Sequence, residues 1–164
     1  DDPLVGGALQ NLANATGVDC FFAGNSATGL GGAVYSNAPN KQVTLTNCAF
    51  SGNSANTQGG AVFTDWSDPR FTNCTFHANQ AGTSGGGLFR NFGDPILTNC
   101  ILWGNTAGSA GDEAAQITGS GRIFLVDYNC VQGLDTLASR PGNIGTNPLF
   151  VDAEGGGRHR RHGR

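Results

Sequence analysis

Residues 43–63 read VTLTNCAFSGNSANTQGGAVF, and this stretch decides the fold. Side chains of an extended chain alternate between two faces, so residues of one parity share a face. Val43 and Leu45 have one parity, Cys48 and Phe50 the other, and the change falls at Thr46-Asn47. A change of parity between two apolar runs means a corner. A second corner is expected at Gly52-Asn53, and a third strand through Gly60, Ala61, Val62 and Phe63. Asn and Gly tolerate the left-handed backbone that such corners require. The stretch thus predicts three short strands and three turns in about 26 residues, which is one coil of a parallel β-helix.

Working outward, the same stretch recurs. The spacings between the five cysteines, Cys20, Cys48, Cys74, Cys100 and Cys130, are 28, 26, 26 and 30. Four copies read C20-F-F-A-G-N25, C48-A-F-S-G-N53, C74-T-F-H-A-N79 and C100-I-L-W-G-N105, and a fifth fades at N129-C130-V-Q-G. Eleven residues after each of the first three cysteines come G31-G-A-V-Y35, G59-G-A-V-F63 and G85-G-G-L-F89. A copy without its cysteine half stands at G6-G-A-L-Q10, and a degenerate one at G111-D-E-A-A115. A fixed period in this range is the signature of a solenoid. Stacked at about 4.8 Å per coil, each residue lies over its counterpart in the next repeat. The cysteines, the Phe22/Phe50/Phe76/Leu102 set and the Val34/Val62/Leu88 set are then expected to form inward columns. Asn25, Asn53, Asn79 and Asn105 are expected to form a ladder of side-chain amides. The Gly pairs mark places where the coil is tight.

Composition agrees. The chain has 164 residues, including 27 Gly, 16 Asn and only 21 charged side chains. That length suits one domain. Glycine without a Gly-X-Y period excludes collagen, and 38% hydrophobic residues exclude disorder by composition. No apolar run approaches the roughly 20 residues of a membrane span. The opening DDPLVGG lacks the basic and apolar parts of a signal peptide, and without an initial Met the chain reads as a processed product or an excised fragment. Residues 158–164, RHRRHGR, carry four arginines, whereas residues 1–157 carry five basic and twelve acidic side chains. One basic run on an acidic body is expected to be a flexible tail, and no basic patch with interleaved aromatics points to nucleic acid.

The alternation of GGA[V/L] with FxxN resembles the repeat of the chlamydial polymorphic outer membrane proteins and of secreted bacterial right-handed parallel β-helix proteins. The first motif is matched by Gly31 to Val34 and Gly59 to Val62; the second by Phe22 to Asn25, Phe50 to Asn53 and Phe76 to Asn79, with Leu102 to Asn105 departing by one residue. The segment N143-I-G-T-N-P-L-F-V-D152 is similar to the segment that closes such domains, so the resemblance covers about residues 6–152. It implies an all-β, right-handed, single-stranded parallel β-helix of the pectate-lyase-like kind. It also implies export, surface display and an adhesive or scaffold role. Enzymes, phage spikes and adhesins share this coil, so the fold does not choose among them.

Three groups of residues are candidates for chemistry. Five cysteines cannot all pair within one chain, and stacked parallel neighbours lie farther apart than a disulfide prefers, so buried free thiols are expected. Asp68 and Asp94 hold the same place in consecutive repeats, counted from Cys48 and Cys74, and each precedes a proline; they should stack on one turn, with Asp65 and Trp66 close by. Carboxylates at that spacing suit Ca²⁺ or an acid/base pair, with Arg70 or Arg90 as the basic partner of a polysaccharide lyase. Equally, Asp-Pro is ordinary turn chemistry that a repeat copies. His77 and Trp103 fall at equivalent outward positions in consecutive coils, where exposed aromatics suit sugar rings, or where a terminal loop or neighbouring chain packs.

The sequence thus predicts about five coils of 26–30 residues over 1–130, an irregular closing segment over 131–157 and the basic tail over 158–164. The expected role is a secreted or cell-surface structural or adhesive module, non-enzymatic, assembling into homo-oligomers through coil ends. The alternative is a polysaccharide-binding or Ca²⁺-dependent polysaccharide-degrading protein acting through Asp65, Trp66, Asp68, Asp94, His77 and Trp103, with a polysaccharide or cell-surface ligand. No catalytic residue, resident metal or cofactor is assigned.

Overall fold

The computed structural model describes residues 6–11, 13–37, 39, 41–110, 112–120 and 125–150. The basic tail 158–164 and residues 151–157 of the expected closing segment lie outside the described residues, as do residues 1–5. The chain winds into a parallel β-solenoid, as the repeat predicts. The first four coils carry four strands each rather than three, and the last carries three among the described residues. The first face is built from Leu9–Asn11, Val34–Asn37, Val62–Asp65, Leu88–Arg90 and Ile117–Gly119. The second holds Ala15–Val18, Val43–Thr46, Arg70–Thr72, Ile96–Thr98 and Leu125–Asp127; the third holds Phe21–Ala23, Ala49–Ser51, Thr75–His77, Ile101–Trp103 and Cys130–Val131. The fourth holds Ser26–Ala27, Ser54–Ala55, Gln80–Ala81 and Thr106–Ala107. At two residues these fourth strands are too short to show alternation, which is why parity does not reveal them. The stack makes about four full turns rather than five, because the last repeat copy supplies only part of a coil among the described residues.

The corners form at the Asn and Gly positions that the repeat marks. Asp19, Asn47, Asn73, Asn99 and Tyr128 hold φ between 54° and 58° at the turn from the second face to the third. The first glycine of each Gly pair, Gly31, Gly59 and Gly85, is also left-handed. The second is needed for space: a Cβ on Gly60 would lie 2.4 Å from the Gly86 carbonyl oxygen. The strand begins after the pair, at Val62, rather than running through it.

Inside, residue types stack on themselves. Phe22, Phe50 and Phe76 lie face to face at 4.8 and 4.6 Å, with Phe71 edge-on to Phe50 and Phe76. Val34, Val62 and Leu88 share this core with the buried Cys48, Cys74 and Cys100. All five cysteines are free, with Cys20 half-buried. Burial pushes the Cys48 thiol up to about 11. In the next pair the Cys74 and Cys100 thiols donate to the Leu45 and Phe71 carbonyls, and the interaction between the two neighbouring thiols lowers the pKa of Cys74 and raises that of Cys100. Burial also raises Cys130. Cys130, however, leaves the column. The last coil pairs Ile96 with Leu125 and Ile101 with Cys130, so Asn129 stands over Cys100 and Cys130 overshoots by one position.

The amide ladder forms as expected. Asn25, Asn53 and Asn79 each donate Nδ2–H to Oδ1 of the next member, at 2.9, 2.8 and 2.8 Å, the last link reaching Asn105. Its far end is closed by Gln116, from a short helix α1 (Asp112–Gln116), whose Oε1 accepts from Asn105 Nδ2 at 2.7 Å. Glu113 of the same helix accepts hydrogen bonds from the backbone of Asp135 and the hydroxyl of Thr136, fixing a 3₁₀ turn (Thr136–Ser139) whose Leu137 joins the core. Among the described residues, no helix is long and apolar enough to cross a membrane.

Candidate functional site

The candidate residues fall into two groups on different faces. Asp65, Trp66 and Asp68 lie where the first face turns into the second, and the same turn one coil later carries Asn91, Phe92 and Asp94. Asp68 and Asp94 are stacked neighbours, as their spacing predicts: Asp68 Oδ1 accepts the backbone N–H of Asp94 at 2.6 Å. Ser67, beside Asp68, is buried and donates its hydroxyl to the Ser36 carbonyl. Gly93 is left-handed, and a Cβ there would strike the Ser67 carbonyl. The loop is therefore copied from coil to coil as a hydrogen-bonded unit.

Each of its carboxylates has a partner within the solenoid. Asp65 accepts from Asn91 Nδ2 at 3.0 Å, Asp68 serves the backbone, and Asp94 pairs with Arg90 at 3.3 Å. Arg90 is 2% exposed and also donates to the Gly93 and Ser120 carbonyls, at 2.8 and 2.9 Å. Burial lowers the pKa of its guanidinium. A buried arginine tied in this way is a clamp, a poor candidate for the base of a lyase. Among the described residues, no group of three or more His, Cys, Asp or Glu side chains is placed to hold a metal ion. The oxygen cage that Ca²⁺ needs is not formed by Asp65, Asp68 and Asp94 in this arrangement.

Aromatic rings in the same turn are more available. Trp66 and Phe92 stack at 4.3 Å and are 56% and 42% exposed. Phe92 escapes the sequence reading, although it stands to Trp66 as Asn91 stands to Asp65, one period on, and so carries a legible signal. The second group, His77 and Trp103, sits on the third face in direct strand register, as expected. His77 Nδ1 donates to the Trp103 carbonyl at 3.0 Å, and its ring lies 4.8 Å from Phe150 of the closing segment. This pair is thus partly packed beneath the terminal segment. It is not brought together with the Asp65 turn.

A further feature lies at the corner between the second and third faces. Asn73 Nδ2 donates to Asn47 Oδ1 at 3.0 Å and Asn99 Nδ2 to Asn73 Oδ1 at 2.7 Å, making a second, exposed amide ladder. The sequence signal is the Asn before each of Cys48, Cys74 and Cys100. In the last coil the shifted register puts Tyr128 in the Asn slot and Asn129 where a cysteine would stand. Buried Asn129 accepts the Cys100 N–H at 2.7 Å. Beside Tyr128 a cavity of about 350 Å³ opens, lined among others by Asn73, Thr75, Asn99, Ile101, Gly142 and Ile144.

No curated protein and no solved structure matches the chain. The family model for the right-handed β-helix region matches residues 5–132, the span of the coils. That match takes in all four faces and most of the sequence, and the chain belongs to the right-handed β-helix family.

Proposed function

We propose that this chain is a rigid, non-enzymatic β-helix module of a secreted or cell-surface protein, working as an adhesive or structural rod. The observation that carries the reading is the commitment of the acidic turn: Asp65 to Asn91, Asp68 to the backbone of Asp94, and Asp94 to Arg90. Asp65 and Asp68 hold their turn to the next, and Asp94 is tied within its own turn to buried Arg90; such bracing is what a rod needs and what an acid/base pair lacks. Support for export and display is the resemblance of the GGA[V/L] and FxxN repeat to that of exported bacterial proteins. Outward rows of amide, hydroxyl and aromatic groups suit lateral contact with a neutral polar surface. Assembly through a coil end belongs to the same reading, since Val18 and Phe21 lie exposed in first-coil strands that offer an edge for a further coil.

The second reading, polysaccharide binding, is favoured by the exposed Trp66–Phe92 stack, whose rings offer a flat apolar surface beside hydrogen-bonding groups. Retention of the intact protein on immobilised polysaccharides and on whole-cell surfaces tests both. Retention without shortening of the polymer supports the module reading, and retention lost in Trp66→Ala assigns it to the aromatic stack. A protein that binds no such surface and elutes as a strict monomer at every concentration contradicts it.

A further inference from the structure

We propose that the cavity at the end of the exposed amide ladder is a binding site for a neutral sugar ring, a proposal that deepens the adhesive reading and rests on it. The ladder has a direction. Each Nδ2 donates back toward the preceding coil, so each Oδ1 faces the following one. Asn73 Oδ1 is met by Asn99, but above Asn99 the column holds Tyr128, whose side chain has no amide to offer. Among the described residues no donor reaches Asn99 Oδ1. The interruption follows from the chain itself: with Leu125 over Ile96 and Cys130 over Ile101, Tyr128 falls at the left-handed corner, φ 58°, that asparagines occupy below it.

Tyr128 is held where it stands. Its backbone N–H donates to the Pro141 carbonyl at 2.9 Å, and Gly142 lies so close to the ring that a Cβ there would come within 2.3 Å of Cδ1. The ring is nevertheless 63% exposed. The cavity therefore combines an aromatic ring, an open amide acceptor, the Thr75 hydroxyl and the apolar Ile101. Among the described residues no charged side chain lines it. A pyranose ring meets each of these, presenting an apolar face to Tyr128 and Ile101 and hydroxyl donors to Asn99 Oδ1. A uronate would bring a carboxylate with no cation to receive it, so the site selects neutral sugars over the acidic polymers of a pectate-type lyase. At about 350 Å³ the cavity is near the lower end of ligand pockets and suits one or two sugar units.

The test is an NMR titration of the intact chain with neutral oligosaccharides of glucose, galactose and N-acetylglucosamine, and with oligogalacturonate. The proposal expects shifts of the Asn99 and Asn73 side-chain amides and of the Tyr128 backbone amide with a neutral sugar, and none with oligogalacturonate at equal concentration. Tyr128→Ala should weaken binding at least tenfold. Tyr128→Asn restores an amide above Asn99, so it should lose binding while melting no earlier than the parent, which keeps the test valid if the alanine variant misfolds. Unshifted Asn99 and Tyr128 signals with every neutral sugar, or unchanged affinity in Tyr128→Asn, overturns the proposal. Shifts at Trp66 and Phe92 instead would also overturn it, while leaving the adhesive reading standing; absence of binding to any cell or glycan surface would sink both.

Discussion

Replacing Asn79 by alanine should cost about 4 kcal/mol of stability, from four side-chain hydrogen bonds at about 1 kcal/mol each. Asn79 is fully buried; its Nδ2 donates to Asn105 Oδ1 and the Phe50 carbonyl, at 2.8 and 3.0 Å. Its Oδ1 accepts from the backbone N–H and Nδ2 of Asn53, at 3.0 and 2.8 Å. In the variant Asn53 Nδ2 keeps the Phe22 carbonyl, but the buried Asn53 N–H loses its acceptor altogether, the costliest of the four changes. Against the roughly 5–15 kcal/mol of a typical domain this is a large fraction. The control is Asn73→Gly in the exposed ladder, which removes two solvent-facing hydrogen bonds and keeps the left-handed corner, for about 1 kcal/mol or less. Urea unfolding with unchanged slope reads both. A loss under about 1 kcal/mol in Asn79→Ala, or equal losses in the two variants, would refute the claim that the inner ladder carries the stack.

Other consequences concern close approach and the thiols. Gly60→Ala forces a Cβ against the Gly86 carbonyl and should cost about 3 kcal/mol, whereas Gly52→Ala meets open space and strains only the left-handed backbone, by about 1 kcal/mol; thermal melts of the pair measure the difference. Cys48 holds its proton more tightly folded than unfolded, about 11 against 9, so its contribution is complete below pH 9 and is lost as pH climbs toward 11. Its share of the alkaline loss of stability should be at most about 3 kcal/mol, and Cys48→Ala should make the fall across that window shallower by that share in urea titrations at stepped pH.

How much of this is legible depends on what each residue answers to. Cys48, Phe50, Asn53 and the Gly59-Gly60 pair answer to the coil above and below, so the period exposes them and their columns form. The stacked pairs Asp68/Asp94 and His77/Trp103 are readable for the same reason. What their carboxylates and rings bind is not, because the period places Arg90 and Asn91 beside the acidic turn without giving the bonds they make, and Phe150 reaches His77 from outside the repeat. Gln116 closes the inner ladder from a helix only 11 residues beyond Asn105, outside the period and with a different side chain. Cys130 keeps the residue type but not the register, so spacing by cysteine alone misplaces the last coil by one position, and with it Tyr128.

The most direct test of the account is turnover. The wild-type chain should be incubated with acidic and neutral polysaccharides, with and without Ca²⁺, while ultraviolet absorbance reports unsaturated ends and a reducing-sugar assay reports hydrolysis. The account predicts no new ends above the buffer rate under any condition, with unchanged polymer length even where the protein is retained. New ends that require Ca²⁺, or that vanish in Asp68→Asn or Asp94→Asn, would contradict it.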